Sequence, residues 1–228
     1  MLNIILTMKH KVNLNTWSRR DNWRFMRTFA NSWYSVTSEV DCTVAMEECR
    51  RENKSFFIRY LYAMLRAANE IKEFGYRPDG DGVCWYDSMG ATVPVAVEGG
   101  TFYTVLIGYV ENYDEFYKKA KETMANIPKD GDPYGVNRAL IEHGDTGVVN
   151  ISATPRLYFS SVTYTFHKPG LGSDWPLMNV GKAVRREGRW VMPVGLYVDH
   201  CFVDGVNLSD FVEKMQCYLD CPDHLCRG

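Results

Sequence analysis

The 228-residue sequence carries a formal net charge of −2, with 46% hydrophobic and 24% charged residues. This composition is ordinary for a globular protein with a sizeable core, and it disfavours nucleic acid or an anionic membrane as the main partner. No apolar run approaches the roughly 18 residues of a membrane span. Because no linker is visible, we predict a single domain over residues 1–228, with residues 1–8 as a flexible tail and Met1 or Met8 as the true start.

The cysteines and the N-terminus both indicate a reducing compartment. The seven cysteines are an odd, scattered set, which suits reduced thiols better than a framework of disulfides. The N-terminus lacks the basic segment and the small-residue cleavage site of a secretory signal peptide. We therefore predict a cytoplasmic protein.

The first half of the chain alternates between helical and strand patterns. Trp23 and Met26 fall near helical spacing, and the aromatic stretch after them alternates as a strand does. Asp41 or Thr43 is placed to cap a second helix, and Ser55 begins a third. We predict helices over residues 22–30, 44–52, 55–74 and 113–127, and strands over residues 32–43, 92–97 and 101–108.

The second half consists mainly of strand patterns. A predicted loop over residues 128–137 precedes them, and residues 185–188 fit a hairpin turn. The strands follow one another mostly as hairpins rather than as βαβ units. We therefore predict an α/β (α+β) protein with a large mixed, largely antiparallel sheet and helices packed on it. The later strands are predicted over residues 148–153, 159–166, 177–184 and 190–198.

The pattern H-x-x-x-D-G, formed by His200, Asp204 and Gly205, stands at the end of the last apolar strand. A tight turn follows, and Asn207 or Ser209 is placed to cap a helix that runs to about residue 218. A histidine in this position suits a general base, because its ordinary pKa near neutrality leaves it unprotonated and still basic. No G-x-G-x-x-G follows a strand and no Walker A lysine occurs, so a dinucleotide or nucleoside triphosphate site is disfavoured.

Further motifs accompany this histidine along the chain. They are Trp17-Ser18-Arg19-Arg20, Cys84-Trp85-Tyr86-Asp87-Ser88, Thr101-Phe102, Asn150-Ile151-Ser152-Ala153-Thr154-Pro155 and Gly181-Lys182. Their order and spacing, from about residue 12 to residue 222, resemble chloramphenicol acetyltransferases of the type that uses an H-x-x-x-D-G histidine. The resemblance implies a chloramphenicol acetyltransferase-like sheet with helices on one side, a homotrimer with active sites at subunit interfaces, and acetyl-coenzyme A as co-substrate.

The resemblance also implies roles for five residues. His200 is the expected general base, and Ser152 is the expected hydrogen-bond donor to the oxyanion of the tetrahedral intermediate. Asp204 is expected to form a structural ion pair with Arg19 rather than to join a catalytic triad. We expect the imidazole to be oriented by its own backbone carbonyl, and Gly205 to supply backbone freedom or close approach at the turn.

The residues expected to bind the two substrates depart from the family pattern. Asp199 replaces a histidine beside the base, and an anionic neighbour raises the pKa of a histidine when it lies close. Arg156 replaces a tryptophan that packs on coenzyme A, and Asn179 replaces a threonine. In the acceptor pocket, Met26 replaces a tyrosine and Tyr164 an aliphatic residue. The predicted coenzyme A residues are Asn150, Arg156, Asn179 and Lys182, and the predicted acceptor pocket comprises Phe25, Met26, Tyr34, Phe102, Thr104, Tyr164 and Phe166.

Other groupings of chemically active residues are weaker. The C-x3-C-x2-H-x-C pattern over residues 217–226 lacks the paired spacing of a zinc site, so we predict a packed or solvated tail and no metal. The lysines at residues 118–121 are expected on a solvated helix face. The remaining histidines have no catalytic context and are expected in surface or loop positions; they are His10, His143, His167 and His224.

The sequence thus predicts an acetyl-coenzyme A-dependent O-acetyltransferase that acts on a hydroxyl of a small molecule. Chloramphenicol is the default acceptor, which would make the protein an antibiotic-resistance enzyme. Two alternatives stay open, namely the same chemistry on a different alcohol, or a non-catalytic binding protein that retains the fold. No nucleic-acid or membrane partner is expected.

Overall fold

A computed structural model describes residues 7–98, 100–127, 131–144, 146–165 and 174–223. In chain order the elements are β1 Lys9–Lys11, α1 Arg20–Met26, β2 Trp33–Asp41, α2 Thr43–Arg51, α3 Phe56–Asn69, a 3₁₀-helix Lys72–Gly75, β3 Tyr76–Asp79, β4 Gly82–Tyr86, β5 Gly90–Ala96, β6 Phe102–Ile107, α4 Tyr113–Ala125, α5 Gly135–Glu142, β7 Val148–Thr154, β8 Leu177–Gly181, β9 Val184–Arg186, β10 Arg189–Asp199 and α6 Gly205–Asp220.

The strands form one large mixed sheet and one small antiparallel sheet. The seven-stranded sheet has the order β2-β10-β8-β7-β5-β6, with β9 paired to β10. The pairs β5–β7 and β7–β8 are parallel, whereas β2, β8 and β9 all run antiparallel to β10, as β5 does to β6. The three-stranded sheet has the order β1-β4-β3. The predicted mixed and largely antiparallel architecture is confirmed.

The helices cover one face of the large sheet. Val194, Leu196 and Val198 of β10 are buried in the same core as the middle of α3 and the inner side of α6. Nearly all of α3 is buried, and it packs most extensively against α6. The side chain of Ser55 accepts a hydrogen bond from the N–H of Ile58 and caps α3, as predicted.

The opposite face of β10 is covered by residues 157–165, where the sequence analysis predicted a strand over residues 159–166. That prediction is wrong for residues 159–165, which form no strand. Instead, the Tyr164 hydroxyl donates to the Gly195 carbonyl at 2.8 Å, and its ring stacks on Tyr197 with 5.4 Å between centroids. The alternating apolar residues pack their side chains on the sheet without pairing to it. Residue 166 lies outside the described ranges.

Several boundaries and caps also differ from the predictions. The third helix ends at Asn69 rather than near residue 74, since a 3₁₀-helix follows. Strand β1 and helix α5 were not predicted, because β1 is very short and the apolar residues of α5 lie beside a turn-rich segment. The N-cap of α6 is Asp204, not Asn207 or Ser209. Asp41 accepts from the N–H of Thr43, next to the α2 N-cap.

The thiols and the surface features agree only in part with the predictions. Cys42, Cys49, Cys84, Cys201 and Cys221 are free, whereas Cys217 is disulfide-bonded, so the expectation of reduced thiols is wrong at Cys217. The lysines of α4 are exposed, as predicted. In the ranges that the structure describes, no helix combines the length and the apolar content that crossing a membrane requires.

We predict that Gly195→Ala destabilises the fold. A Cβ atom at residue 195 would overlap Cγ1 of Val162 and lie 3.0 Å from the Tyr164 hydroxyl oxygen. Overpacking of this kind costs about 1–3 kcal/mol of unfolding free energy. Gly135→Ala is the matched control, because its Cβ would meet only ordinary contacts with Asp132. Urea denaturation of both variants measures the effect, and equal stabilities would show that residues 157–165 do not pack against β10 as described.

Candidate active site

His200 stands in the turn that directly follows β10. Its backbone N–H donates to the carbonyl of Ser32 at 2.9 Å, which ties the turn to the start of β2. The carbonyl of Asp199 accepts from the N–H of Val203 at 2.9 Å, and the Asp199 carboxylate accepts from the N–H of Cys201 at 2.9 Å. These bonds fix the backbone of His200 independently of its side chain.

The His200 imidazole is held by the carbonyl of Val203. Nδ1 lies 3.1 Å from this oxygen, and a carbonyl only accepts hydrogen bonds, so Nδ1 carries the proton. Nε2 then has a free lone pair, which is the state that a general base needs. The expectation that His200 is oriented by its own carbonyl is wrong, because Nδ1 lies on the Val203 carbonyl instead. The carbonyl of His200 accepts from Nδ2 of Asn22 at 3.1 Å. Neither Asn22 nor the Val203 carbonyl was predicted, since both depend on the shape of the turn.

Asp204 joins the turn to two other elements. Its Oδ2 accepts from Nη1 of Arg19 at 3.0 Å, so the two residues of the predicted ion pair lie in contact. Its other oxygen accepts from the N–H groups of Val206 and Asn207 and caps α6, with the side chain of Asn207 completing a capping box. Burial raises the pKa of the Asp204 carboxyl, but the hydrogen bonds from Arg19 and the two N–H groups outweigh it and lower the pKa below its usual value.

Asp199 and Gly205 lie close to the base in the sequence. Asp199 lines a small cavity together with Arg77 and Asp174 and is nearly buried, so its carboxylate belongs to that cluster as well as to the turn. Burial raises the pKa of Asp174, against the nearby charge of Arg77, and Asp199 raises it further. The prediction that Gly205 supplies backbone freedom or close approach is wrong within one chain. A Cβ atom at residue 205 would meet open space, and the φ angle there is not positive.

Ser152 lies on β7, two strands away from β10. Its hydroxyl donates to the carbonyl of Met178 at 3.3 Å and accepts from Nδ2 of Asn179 at 2.7 Å. The side-chain oxygen Oδ1 of Asn179 in turn accepts from the hydroxyl of Thr154 at 2.5 Å. Because Asn179 already supplies one hydrogen bond, the hydroxyl proton of Ser152 needs only to leave Met178 to point at a bound molecule.

The strand register separates Ser152 from His200 within one chain. Ser152 is level with Asn179 on β8, and Asn179 is level with Gly195 on β10. His200 follows Gly195 by five residues. At about 3.4 Å per residue and about 4.8 Å per strand, the two side chains are attached roughly 17 Å apart along the strands and two strands apart across the sheet. One chain therefore does not bring these two groups to the same reacting atom.

The predicted acceptor residues also lie in separate parts of the chain, because the elements that carry them lie at different places across the sheet. Phe25 and Met26 lie on α1 near the base, and Tyr34 on β2 contacts it with 4.6 Å between the ring centroids. Phe102 and Thr104 lie on β6, at the opposite edge of the sheet. The remaining predicted residues are Tyr164, which packs on β10, and Phe166, which lies outside the described residues.

An apolar cleft of about 550 Å³ opens between the helices and the ends of β5, β7 and β8. Lys182, one of the predicted coenzyme A residues, lines this cleft. Ala153 also lines it, so the cleft reaches the residue that follows Ser152 on β7. Arg156 is exposed close by in the sequence, whereas Asn150 donates to the Thr92 side chain at 3.0 Å. From the sequence, the aromatic residues of this cleft were recognised only as the apolar face of a helix and not as part of a binding site. The main lining residues are Met46, Phe56, Phe57, Tyr60, Pro155 and Lys182.

The other candidate groups form no recognisable site in the part of the chain that the structure describes. Among the described residues, no three His, Cys, Asp or Glu side chains are arranged to hold a metal ion. Of the predicted C-terminal pattern, His224 and Cys226 lie outside the described residues. His10 stacks on Trp85 with 4.5 Å between centroids, and His143 is exposed at the end of α5. His167 also lies outside the described ranges.

Known proteins match nearly the whole chain. A family model described as chloramphenicol acetyltransferase matches residues 8–216. A solved chloramphenicol acetyltransferase structure is 44% identical, with a TM-score of 0.89 over 93% of this chain and 100% of that one. Chloramphenicol acetyltransferase 2 of Haemophilus influenzae is 24% identical, covering 92% of this chain and 96% of its own. A probable dihydrolipoamide acetyltransferase structure from Listeria monocytogenes, 15% identical with a TM-score of 0.57 over 95% and 96% of the two chains, shares the fold.

We predict that Asp204→Asn lowers both stability and activity. Asn caps helices about as well as Asp, so this change removes the ion pair and keeps the cap. Leaving the Arg19 guanidinium without its partner should lower the unfolding free energy by about 1–2 kcal/mol. The double variant Arg19→Met/Asp204→Asn should lose less than the sum of the single variants, because no unpaired charge remains.

The stabilisation that Asp204 contributes through its ion pair with Arg19 should decrease at acidic pH. Because the pKa of Asp204 is lowered in the folded protein, its contribution is present above the unfolded value of about 3.9 and is lost as the pH falls through the folded value. Denaturation at neutral and acidic pH measures both effects. Loss of activity with unchanged stability would mean that Asp204 takes part in the chemistry itself.

Proposed function

The chain belongs to the chloramphenicol acetyltransferase family of acyltransferases, and on that premise we propose that it transfers acetyl from acetyl-coenzyme A to a hydroxyl of a small molecule. Chloramphenicol is the proposed acceptor, because the curated relatives from Haemophilus influenzae and Clostridium butyricum, and the 44% identical structure, all carry the name chloramphenicol acetyltransferase. The observation that supports the chemistry most directly is the 3.1 Å contact of His200 Nδ1 with the Val203 carbonyl, which leaves Nε2 of the neutral imidazole free to accept a proton.

We assign the general-base role to His200. The acceptor hydroxyl attacks the thioester carbonyl while Nε2 takes its proton, and a C–O bond forms. The C–S bond then breaks, and the imidazolium returns the proton to the departing coenzyme A thiolate. During the reaction Nδ1 keeps its hydrogen bond to the Val203 carbonyl, which stabilises the transient positive charge.

We assign oxyanion stabilisation to Ser152. The tetrahedral intermediate needs a donor already close to its oxygen, and removal of one such donor typically costs about 2.7–4 kcal/mol. The 2.7 Å hydrogen bond from Asn179 holds Ser152 Oγ in place without using its proton. Asn179, predicted as a coenzyme A residue, therefore contributes here through Ser152.

We propose that coenzyme A lies in the apolar cleft. Its aromatic and methionine walls suit the pantetheine arm, and Lys182 and Arg156 supply positive charge at the end nearest Ser152. A shallow depression beside the cleft shares Met46 and is also lined by Arg50, so it suits the phosphates at the other end. Asn150 is bound to Thr92 and is a less direct candidate for this ligand.

We propose that the active enzyme is a homotrimer with sites between subunits. The register argument requires that His200 of one subunit meet Ser152 of another if both act on one intermediate. Phe25 and Phe29 are 60% and 52% exposed in one chain and touch each other at the end of α1, the helix whose Asn22 contacts His200, as expected for residues covered in an assembly. The trimer itself comes from the family resemblance.

The residues of the predicted acceptor pocket support a second candidate function, namely the same chemistry on a different alcohol. Tyr164 is tied to Gly195 and stacked on Tyr197, so its bulk is fixed in the position that an aliphatic residue occupies in the family. Met26 cannot supply the hydroxyl of the family's tyrosine. A non-catalytic role is disfavoured, because a pure binding protein has no need of an imidazole held in the base tautomer.

We also propose that the chain forms a single acyltransferase domain and acts in the cytoplasm. Five of the described cysteines are free thiols, which supports a reducing compartment, whereas the disulfide-bonded Cys217 does not. The direct test of the activity measures thiol release from acetyl-coenzyme A with chloramphenicol and with a panel of other alcohols. Release with chloramphenicol supports the proposed acceptor, release with another alcohol supports the second candidate, and no release with any alcohol contradicts both.

We predict that His200→Ala lowers kcat by about 10²–10⁴-fold, because the general base is lost. Binding of acetyl-coenzyme A should persist, since His200 is not among the residues that line the cleft. Thiol release and calorimetric titration of the variant measure the two quantities. Near-normal turnover by His200→Ala would eliminate this mechanism.

A further inference from the structure

The carbonyl oxygen of Val203 receives two hydrogen bonds. Nδ1 of His200 lies 3.1 Å away, and the hydroxyl of Tyr34 donates to the same oxygen at 3.3 Å. A carbonyl has two lone pairs and accepts both bonds at once. We infer that Tyr34 is a positioning residue for His200 rather than a wall of the acceptor pocket, an inference that rests on the proposed role of His200 as the base.

The ring of Tyr34 supports the imidazole directly. The two ring centroids are 4.6 Å apart, with 39° between the ring planes. Tyr34 is paired with Val198, next to the last pair of the β2–β10 ladder, so its backbone is anchored to the same strand that carries the base. The ring therefore limits rotation of the imidazole, while the hydroxyl holds the carbonyl that fixes the tautomer.

The hydroxyl stays a donor at all pH values at which the enzyme would work. Burial, together with the charge of Asp204 and against the effect of Arg19, raises the pKa of Tyr34 to about 12. A neutral phenol donates to Val203 continuously and exchanges no proton with the imidazole. Tyr34 thus acts by geometry, and its hydroxyl is not a second acid or base.

The two possible roles of Tyr34 predict different kinetics. A pocket wall acts through acceptor binding, so its replacement raises KM for the acceptor and leaves the state of His200 unchanged. A positioning residue acts through the base, so its replacement lowers kcat for every acceptor and changes the environment of Nδ1. Tyr34→Phe keeps the ring and removes the hydroxyl, whereas Tyr34→Leu removes both.

The test combines steady-state kinetics with proton NMR of the intact assembly. The Nδ1–H resonance of His200 is assigned by its disappearance in His200→Gln. Tyr34→Phe should lower kcat about three- to tenfold, as expected for one hydrogen bond, with KM for the acceptor nearly unchanged. Tyr34→Leu should lower kcat about 10²-fold and broaden the Nδ1–H resonance, because the ring no longer holds the base in its reactive position.

Tyr62→Phe is the matched control. Its hydroxyl also donates to a backbone carbonyl, that of Glu111 at 2.5 Å, but it lies in α3 away from the base. This variant should leave kcat and the His200 resonance unchanged. The melting temperature of each variant is measured alongside, and if Tyr34→Leu does not fold, Tyr34→Phe alone decides.

Unchanged kcat and an unchanged Nδ1–H resonance in Tyr34→Phe would overturn the inference, as would a raised acceptor KM alone. The NMR result does not depend on the acceptor. If the wild-type protein transfers acetyl to no alcohol, the proposed function fails, while the resonance in the Tyr34 variants still shows whether Tyr34 positions His200.

Discussion

The position of the candidate base depends on the hydrogen bonds that hold β10 on both of its edges. β10 pairs with β2 along Val191 to Asp199, and its other edge pairs with β8 and β9. One face is buried under the helices, and residues 157–165 cover the other. A strand paired and buried in this way opens only with the whole fold. Its last residue, Asp199, therefore delivers His200 to a fixed point, and the few contacts of the turn then need only to orient a side chain.

The same register that fixes the base also divides the site. Ser152 is fixed by β7 and β8 as firmly as His200 is fixed by β10, so no local movement brings the two together. Under the proposed mechanism, in which both residues act on one intermediate, activity requires assembly of the subunits and should fall on dilution below their dissociation constant. Under the same proposal, the exposed aromatic residues Phe25 and Phe29 belong to the surface that assembly covers.

Those parts of the fold and site that arise from local patterns were predictable from sequence. The buried stripe of α3, the alternation of β10 and the H-x-x-x-D-G spacing each need only neighbouring residues, and the contact of Arg19 with Asp204 followed from the family resemblance. The Val203 carbonyl and Asn22 were not predictable, because backbone carbonyls carry no sequence signal and Asn22 reaches the base over 178 residues. Residues 159–165 were predicted wrongly, since apolar alternation indicates a buried face but does not reveal whether a paired edge is available.

The most direct test of the divided site combines two inactive variants in one assembly. Ser152→Ala chains keep the base, and His200→Ala chains keep the oxyanion donor. If every site takes one residue from each of two neighbours, random co-assembly of equal amounts should restore about one quarter of the wild-type activity, because that share of the sites contains both intact residues. The two variants folded separately and mixed without subunit exchange should stay inactive. Co-assembled particles that contain both chains and still show no activity would contradict the account.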